Sequence, residues 1–353
     1  MLGGAVPLAL FVFGVAGFGS ACGDRTTDGD PTDLHGVFDR SAQASASSPA
    51  GAPSGSAAPS SSTAATAAPE ARDPADATGC VTEAGTADAT ITRTVGRPAC
   101  RGAEVLEWRD ASGAPRYGCL YAARNAESRG PLPLVVYFHG TGGGLDDPAS
   151  LSKVTKLRVR QETSDLGGAK PGFHIIAVQG RAVAGGKYGT TFDTAHIAPD
   201  NLDVAAADHF VDAVRERGTV DDKRIYAVGM GRGATMAITY AMIRADRVAA
   251  FGAYAPLVPD AKWSCSGPPP PGIVEYRACD AIASCEDLES WMLSRDEQRA
   301  ETTRIRLGEA DKEDPSCAVK NKCSKKKGEA HHLRWPKGRE KDLLGFLAQH
   351  RMK

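Results

Sequence analysis

Leu132-Pro133-Leu134-Val135-Val136-Tyr137-Phe138 carries no charged side chain, and it runs straight into His139-Gly140-Thr141-Gly142-Gly143-Gly144. A strand that is apolar at nearly every position is buried on both faces, and such strands belong to parallel sheets covered by helices. The glycines behind it permit positive φ and a close approach of backbone N–H groups to a ligand. Such a turn can form an oxyanion hole. No Gly-Lys-Ser/Thr follows, which counts against a nucleotide phosphate loop.

Around this run the chain alternates strand-like and helix-like stretches. Residues 104–109 and 116–122 read as early antiparallel strands. Further strands are expected at 173–178, 224–228, 249–254, 272–276 and 303–307. Asn201 can cap a helix whose apolar positions are Val204, Ala207, Val211 and Val214. Helices are also expected at 234–245, 286–299 and 339–350. This order predicts an α/β class with a mainly parallel central sheet and helices on both faces, spanning residues 80–353. Right-handed crossovers should connect the strands.

What precedes residue 80 reads differently. Ala5–Phe18 is an apolar run of signal-peptide length, ending in Gly19-Ser20-Ala21-Cys22. Residues 1–22 are therefore expected to be a signal peptide, with Cys22 a candidate lipidation site and ordinary cleavage near Ala21 the alternative. Residues 23–79 form an Ala/Ser/Pro/Thr-rich tether, too poor in large apolar side chains to offset its ordering entropy. The chain is expected to be exported, either as a membrane-anchored lipoprotein or to a periplasmic or extracellular location. Nine cysteines in 353 residues agree with an oxidising compartment. A short Cys317–Cys323 disulfide is expected. Lys+Arg number 42 and Asp+Glu 43, a balance that speaks against nucleic-acid binding. Locally, Lys320–Lys353 holds eleven Lys/Arg against three carboxylates, a candidate polyanion surface.

Three more segments carry chemistry. Tyr226-Ala227-Val228-Gly229-Met230-Gly231-Arg232-Gly233-Ala234 stands between a strand and a helix, the context of the G-x-S-x-G nucleophile elbow, with Gly at position 231. Its glycine spacing does not fit the dinucleotide pattern G-x-G-x-x-G. Asp280 follows the end of a strand, where open α/β sheets place their sites. His331 and His332 fall on a presumed late loop, each a candidate general base. Neither has a Cys or Glu partner at zinc spacing, so no metal is expected. No cofactor is expected either.

Glycine loop, elbow, Asp, His is the chain order of α/β-hydrolases. From about Arg116 onward the chain resembles secreted bacterial esterases of the polyhydroxybutyrate depolymerase and feruloyl esterase group. The resemblance rests on Leu134–Gly140, on Asp222-Lys223-Arg224-Ile225-Tyr226 leading into Gly229–Gly233, and on His332 before Trp335-Pro336. It implies an α/β-hydrolase fold and an ester-containing small molecule or polymer as ligand. It further implies Asp280 as orienter, His332 or His331 as base, and the Thr141 and Arg232 amides as oxyanion donors, with His139, Gly140 and Gly142 in the supporting loop. The chain departs from the pattern at Gly231, where the family has its serine. His332 also lies three residues before Trp335 instead of two, so both histidines stand as candidates. Two expectations follow: a catalytically impaired pseudohydrolase or ligand-binding module, or an active carboxylic-ester hydrolase of the polyester or feruloyl type with unconventional chemistry.

Overall fold

The computed structural model describes Cys80 and residues 85–91, 95–141, 154–183, 189–259, 263–308, 310–318, 325–332 and 334–353. The chain divides into two units, Met1–Ala64 and Ala65–Lys353, and all described residues belong to the second. The expected signal peptide, Cys22 and the whole tether, together with Gly142 and Cys323, lie outside the described residues.

In chain order the elements are β1 (Glu104–Arg109), β2 (Pro115–Tyr121), α1 (Ala126–Arg129), β3 (Leu132–Phe138), α2 (Val154–Arg158), β4 (His174–Val178), β5 (Arg181–Ala182), β6 (Thr190–Thr191), α3 (Leu202–Arg215), β7 (Val220–Met230), α4 (Arg232–Ile243), β8 (Ala250–Tyr254), β9 (Gly272–Arg277), α5 (Cys285–Glu297), β10 (Thr302–Leu307), α6 (Lys325–His332) and α7 (Glu340–Ala348). Eight strands form one sheet in the order β1-β2-β4-β3-β7-β8-β9-β10. β1 and β2 are antiparallel to their neighbours, and every pairing from β4 to β10 is parallel.

β3 is buried at all seven positions, as its composition requires. Its side chains alternate between two cores. Leu134, Val136 and Phe138 join the core formed with α3, α4 and α5. Val135 and Tyr137 face the other core, with Val154 and Leu157 of α2 and Leu343, Leu344 and Leu347 of α7. Helices therefore cover both faces of the sheet. α3 begins where expected, the Asn201 side chain accepting from Asp203 N at 2.8 Å and Val204 N at 3.4 Å. The β1–β2 turn is closed by Asp110, whose carboxylate also accepts from the buried Arg116 at 2.6 and 2.9 Å.

Two expectations are corrected. The chain around His331 and His332 is helical, since both lie in α6. Cys317 pairs with Cys285, 32 residues away, and not with Cys323. The β9–α5–β10 crossover explains this, because parallel strands return the chain to the same end of the sheet. There Cys285 opens α5 and Cys317 follows β10, with Cα atoms 5.7 Å apart. Cys100 pairs with Cys119 and Cys80 with Cys265, and Cys279 is also disulfide-bonded.

The Cys80–Cys265 bond closes a loop with a sequence separation of 185. Long loops gain most from cross-linking in the chain-entropy picture. Replacing both cysteines by Ala should lower the unfolding free energy by about 2–5 kcal/mol. Urea titration of the oxidised proteins checks this, and an unchanged midpoint would refute it.

Candidate active site

Gly231 sits between β7 and α4 at φ 56° and ψ −129°. That φ lies in the left-handed half of backbone space, where a side chain is strained. Its amide donates to the Tyr254 carbonyl at 2.9 Å. The turn is tight because of the glycines beside it. A Cβ at Gly229 would stand 2.1 Å from the Gly233 carbonyl oxygen, and one at Gly233 only 2.2 and 2.3 Å from the carbonyl oxygens of His139 and Phe138. So α4 starts in direct backbone contact with the end of β3.

The structure brings Asp280 and His332 to this turn. Asp280 lies three residues beyond β9, its Oδ1 accepting from the amides of Ile282 at 2.8 Å and Ala283 at 2.9 Å. Its Oδ2 is 2.9 Å from His332 Nδ1, and both side chains are buried. A carboxylate only accepts, so Nδ1 carries a proton, and in the neutral imidazole the lone pair is then on Nε2. That Nε2 faces position 231, where a Cβ would stand 3.2 Å from it. His331 is not part of this pair; its Nδ1 lies 3.3 Å from Arg334 Nη2. Consecutive helical residues point about 100° apart, so α6 can offer only one of the two to Asp280.

Gly328 explains how α6 reaches the site. A Cβ there would stand 2.7 Å from the Cys279 carbonyl oxygen and 2.8 Å from the Ala281 Cβ. The bare backbone thus rests on the turn that carries Asp280, and the residue four positions on, on the same helix face, is His332.

Around Gly231, His139 is fully buried, donating from Nδ1 to the Gly140 carbonyl at 2.8 Å and accepting at Nε2 from the Gly180 amide at 2.9 Å. Burial pulls its pKa down to about 4, so it is a neutral brace for the loop. A Cβ on Gly140 would come within 3.2 Å of the Met230 carbonyl oxygen. Among the described residues, neither the Thr141 amide nor the Arg232 amide donates to a protein acceptor. The Thr141 hydroxyl is 2.6 Å from that of Thr191. The Arg232 side chain is held by Asp88 at 3.0 Å and Thr194 at 3.2 Å. No cluster of three or more His, Cys, Asp or Glu suited to a metal occurs among the described residues. Two clefts of about 540 and 380 Å³ open elsewhere, and neither is lined by Gly231, Asp280 or His332.

Sequence reading missed Tyr254, Arg277, Asp311 and Gly328, which hold the His332 segment. It also missed Glu275, which faces Tyr254 across the β8–β9 pairing. Glu275 is wholly buried, and among the described residues neither carboxylate oxygen has a hydrogen-bond partner. Burial, reinforced by Asp342 and Glu340 and opposed by Arg339, pushes its pKa well above the ordinary value.

Comparison with known proteins adds the fold. No protein-family model matches the chain, and no curated protein sequence matches it. Solved structures do. A thermostable esterase aligns at TM-score 0.52 and 14% identity over 71% of this chain and 64% of its own. Esterase 2 of Thermogutta terrifontis aligns at TM-score 0.44 and 15% identity, over 60% of this chain and 84% of that one. The Bacillus cereus carboxylesterase aligns at TM-score 0.41 and 14% identity, over 59% and 91%. The alignment with the thermostable esterase spans less than two thirds of that protein's length. With the sheet order above, that likeness shows an α/β-hydrolase fold.

The Glu275 carboxyl should make stability fall with rising pH. The unfolded chain releases this proton near its ordinary pKa of 4.5, while the folded protein retains it. The folded state therefore binds more protons above that pH, and stability declines until the folded pKa is passed, by up to about 1.4 kcal/mol per pH unit. Glu275→Gln should flatten the decline in urea titrations between about pH 5 and 7. Parallel slopes for the two proteins would show that Glu275 ionises freely.

Proposed function

We propose that this chain is an esterase-type α/β-hydrolase-fold protein that holds an ester-containing small molecule or polymer at the Gly231–His332 site without forming an acyl-enzyme. A serine hydrolase needs a nucleophile, a base to take its proton, a carboxylate to orient the base, and two amides for the oxyanion. His332 stands in the base position, Asp280 in the orienting one, and Thr141 and Arg232 offer the amides. Position 231 has no hydroxyl to acylate. The observation that carries this reading is the His332 imidazole, held by Asp280 on one side and 3.2 Å from the Gly231 Cβ position on the other. Gly also relieves the elbow of backbone strain worth about 1–3 kcal/mol for other residues.

The intact His332–Asp280 pair favours a second reading: slow hydrolysis of a carboxylic ester, of the polyester or feruloyl type, by a water that His332 deprotonates. Loss of a triad nucleophile costs about 10⁶ in kcat, yet an oxyanion hole and binding alone retain roughly 10³-fold or more over water. In both readings the domain is exported, tethered through residues 23–79 and anchored at Cys22 where that cysteine is lipidated. The apolar run before Cys22 and the composition of the tether support this. The cationic side chains between Lys320 and Lys353 would draw a polyanion to the same domain.

Gly231→Ser is the decisive variant. The native protein should not be labelled by fluorophosphonates. Gly231→Ser should be labelled at position 231 and should hydrolyse p-nitrophenyl esters, with the activity lost on His332→Ala. The His332 ring must give by a few tenths of an ångström to admit the side chain. The serine must also adopt positive φ, so unfolding free energy should fall by about 1–3 kcal/mol. Labelling of an active-site serine in the native protein would overturn the proposal. A folded, inactive and unlabelled Gly231→Ser would show instead that the site no longer matches ester chemistry.

A further inference from the structure

We infer that Tyr254 is a positioning residue that sets the separation between His332 and position 231. It is attached to both. Its backbone carbonyl accepts the Gly231 amide at 2.9 Å. Its hydroxyl lies 2.9 Å from the His331 carbonyl oxygen and 2.7 Å from that of Arg334, the residues flanking the His332 stretch. One phenolic proton is shared between the two carbonyls, and the Arg277 Nε–H donates to the phenolic oxygen at 3.1 Å.

Arg277 is itself fixed. It is fully buried, donates from Nη1 to the Gly308 carbonyl at 3.1 Å, and pairs through Nη2 with Asp311. The Asp311 carboxylate also accepts from Arg334 Nη2 at 3.1 Å and from the Lys337 amide at 3.4 Å. Trp335 packs on the Tyr254 ring, centroids 5.5 Å apart. His331, Arg334 and Lys337 are thus held by Tyr254 at the end of β8 and by Asp311 beyond β10, which Arg277 at the end of β9 fixes. Arg277 also accepts, through its carbonyl, the amide of Asp280 at 3.3 Å. The network therefore supports both members of the His332–Asp280 pair.

This role rests on the reading of His332 as the base, so the test carries one arm that needs no activity. Proton NMR of the native protein should show a far-downfield resonance from the His332 Nδ1 proton shared with Asp280. Tyr254→Phe should weaken or remove it while the fold, by circular dichroism, is retained. In the Gly231→Ser background, Tyr254→Phe should lower kcat by about 10- to 100-fold with KM unchanged, as small misplacements of catalytic groups do. An unchanged resonance, or an unchanged kcat, in Tyr254→Phe would overturn the inference and leave the site reading intact. Absence of the resonance in the native protein would instead overturn the His332–Asp280 pair itself, and the inference with it. If Tyr254→Phe does not fold, Asp311→Asn decides: it loosens Arg277 from the edge of the network and should weaken the same resonance, and no change there refutes the role.

Discussion

Phe138 and His139 turn their carbonyl oxygens so closely onto Gly233 that a methyl group there would lie within 2.3 Å of both. This contact of backbone on backbone fixes the start of α4 against the end of β3. Gly231 is then forced to turn at positive φ, and the glycine-containing loop after β3 is held beside it. Gly229 allows the chain to double back on itself two residues earlier. Close-packed interiors transmit such placements with little slack, so the elbow's position is inherited by everything built around it. Two further bare backbone positions extend the arrangement, Gly140 against Met230 and Gly328 against Cys279 and Ala281.

Buried charge in this domain follows two regimes. Arg116 with Asp110, and Arg181 with Asp193 and Asp203, are paired and hydrogen-bonded in the interior. Leaving one partner of such a pair alone would be costly. Glu275 belongs to the second regime. It has no partner among the described residues, and it avoids the cost of burying a charge by keeping its proton. It does so two residues before Arg277 on the same strand face, beside the network that holds His332.

The sheet was largely legible because burial on both faces leaves its mark in composition: the β3 run and the core of β7 are apolar without alternation. Asp280 and the elbow were legible because they fall at strand ends. His332 was narrowed only to a pair, since His331 and His332 differ in direction and not in type, and direction needs the helix. That helix was hidden. Lys325-Lys326-Lys327-Gly328 has no apolar periodicity and contains a helix-weakening glycine, so α6 owes its place to close packing on the Cys279–Ala281 turn. Sequence proximity points Cys317 to Cys323, whereas the β9–α5–β10 crossover brings Cys285 to it. Tyr254 and Arg277 looked like ordinary strand residues, because a role exercised through other residues' carbonyls leaves no motif.

The Cys80–Cys265 bond also determines how the domain would bear a load. Tension applied between the two ends of the domain enters near Cys80 and crosses the disulfide to Cys265, so residues 81–264 lie on a slack branch. β1 to β8, and the elbow at Gly231, belong to that branch. The taut path runs through β9, is carried past α5 and β10 by the Cys285–Cys317 bond, and enters α6 and α7 with His332. A pull on this domain would therefore load the helix that carries His332 first and reach the turn it faces only afterwards.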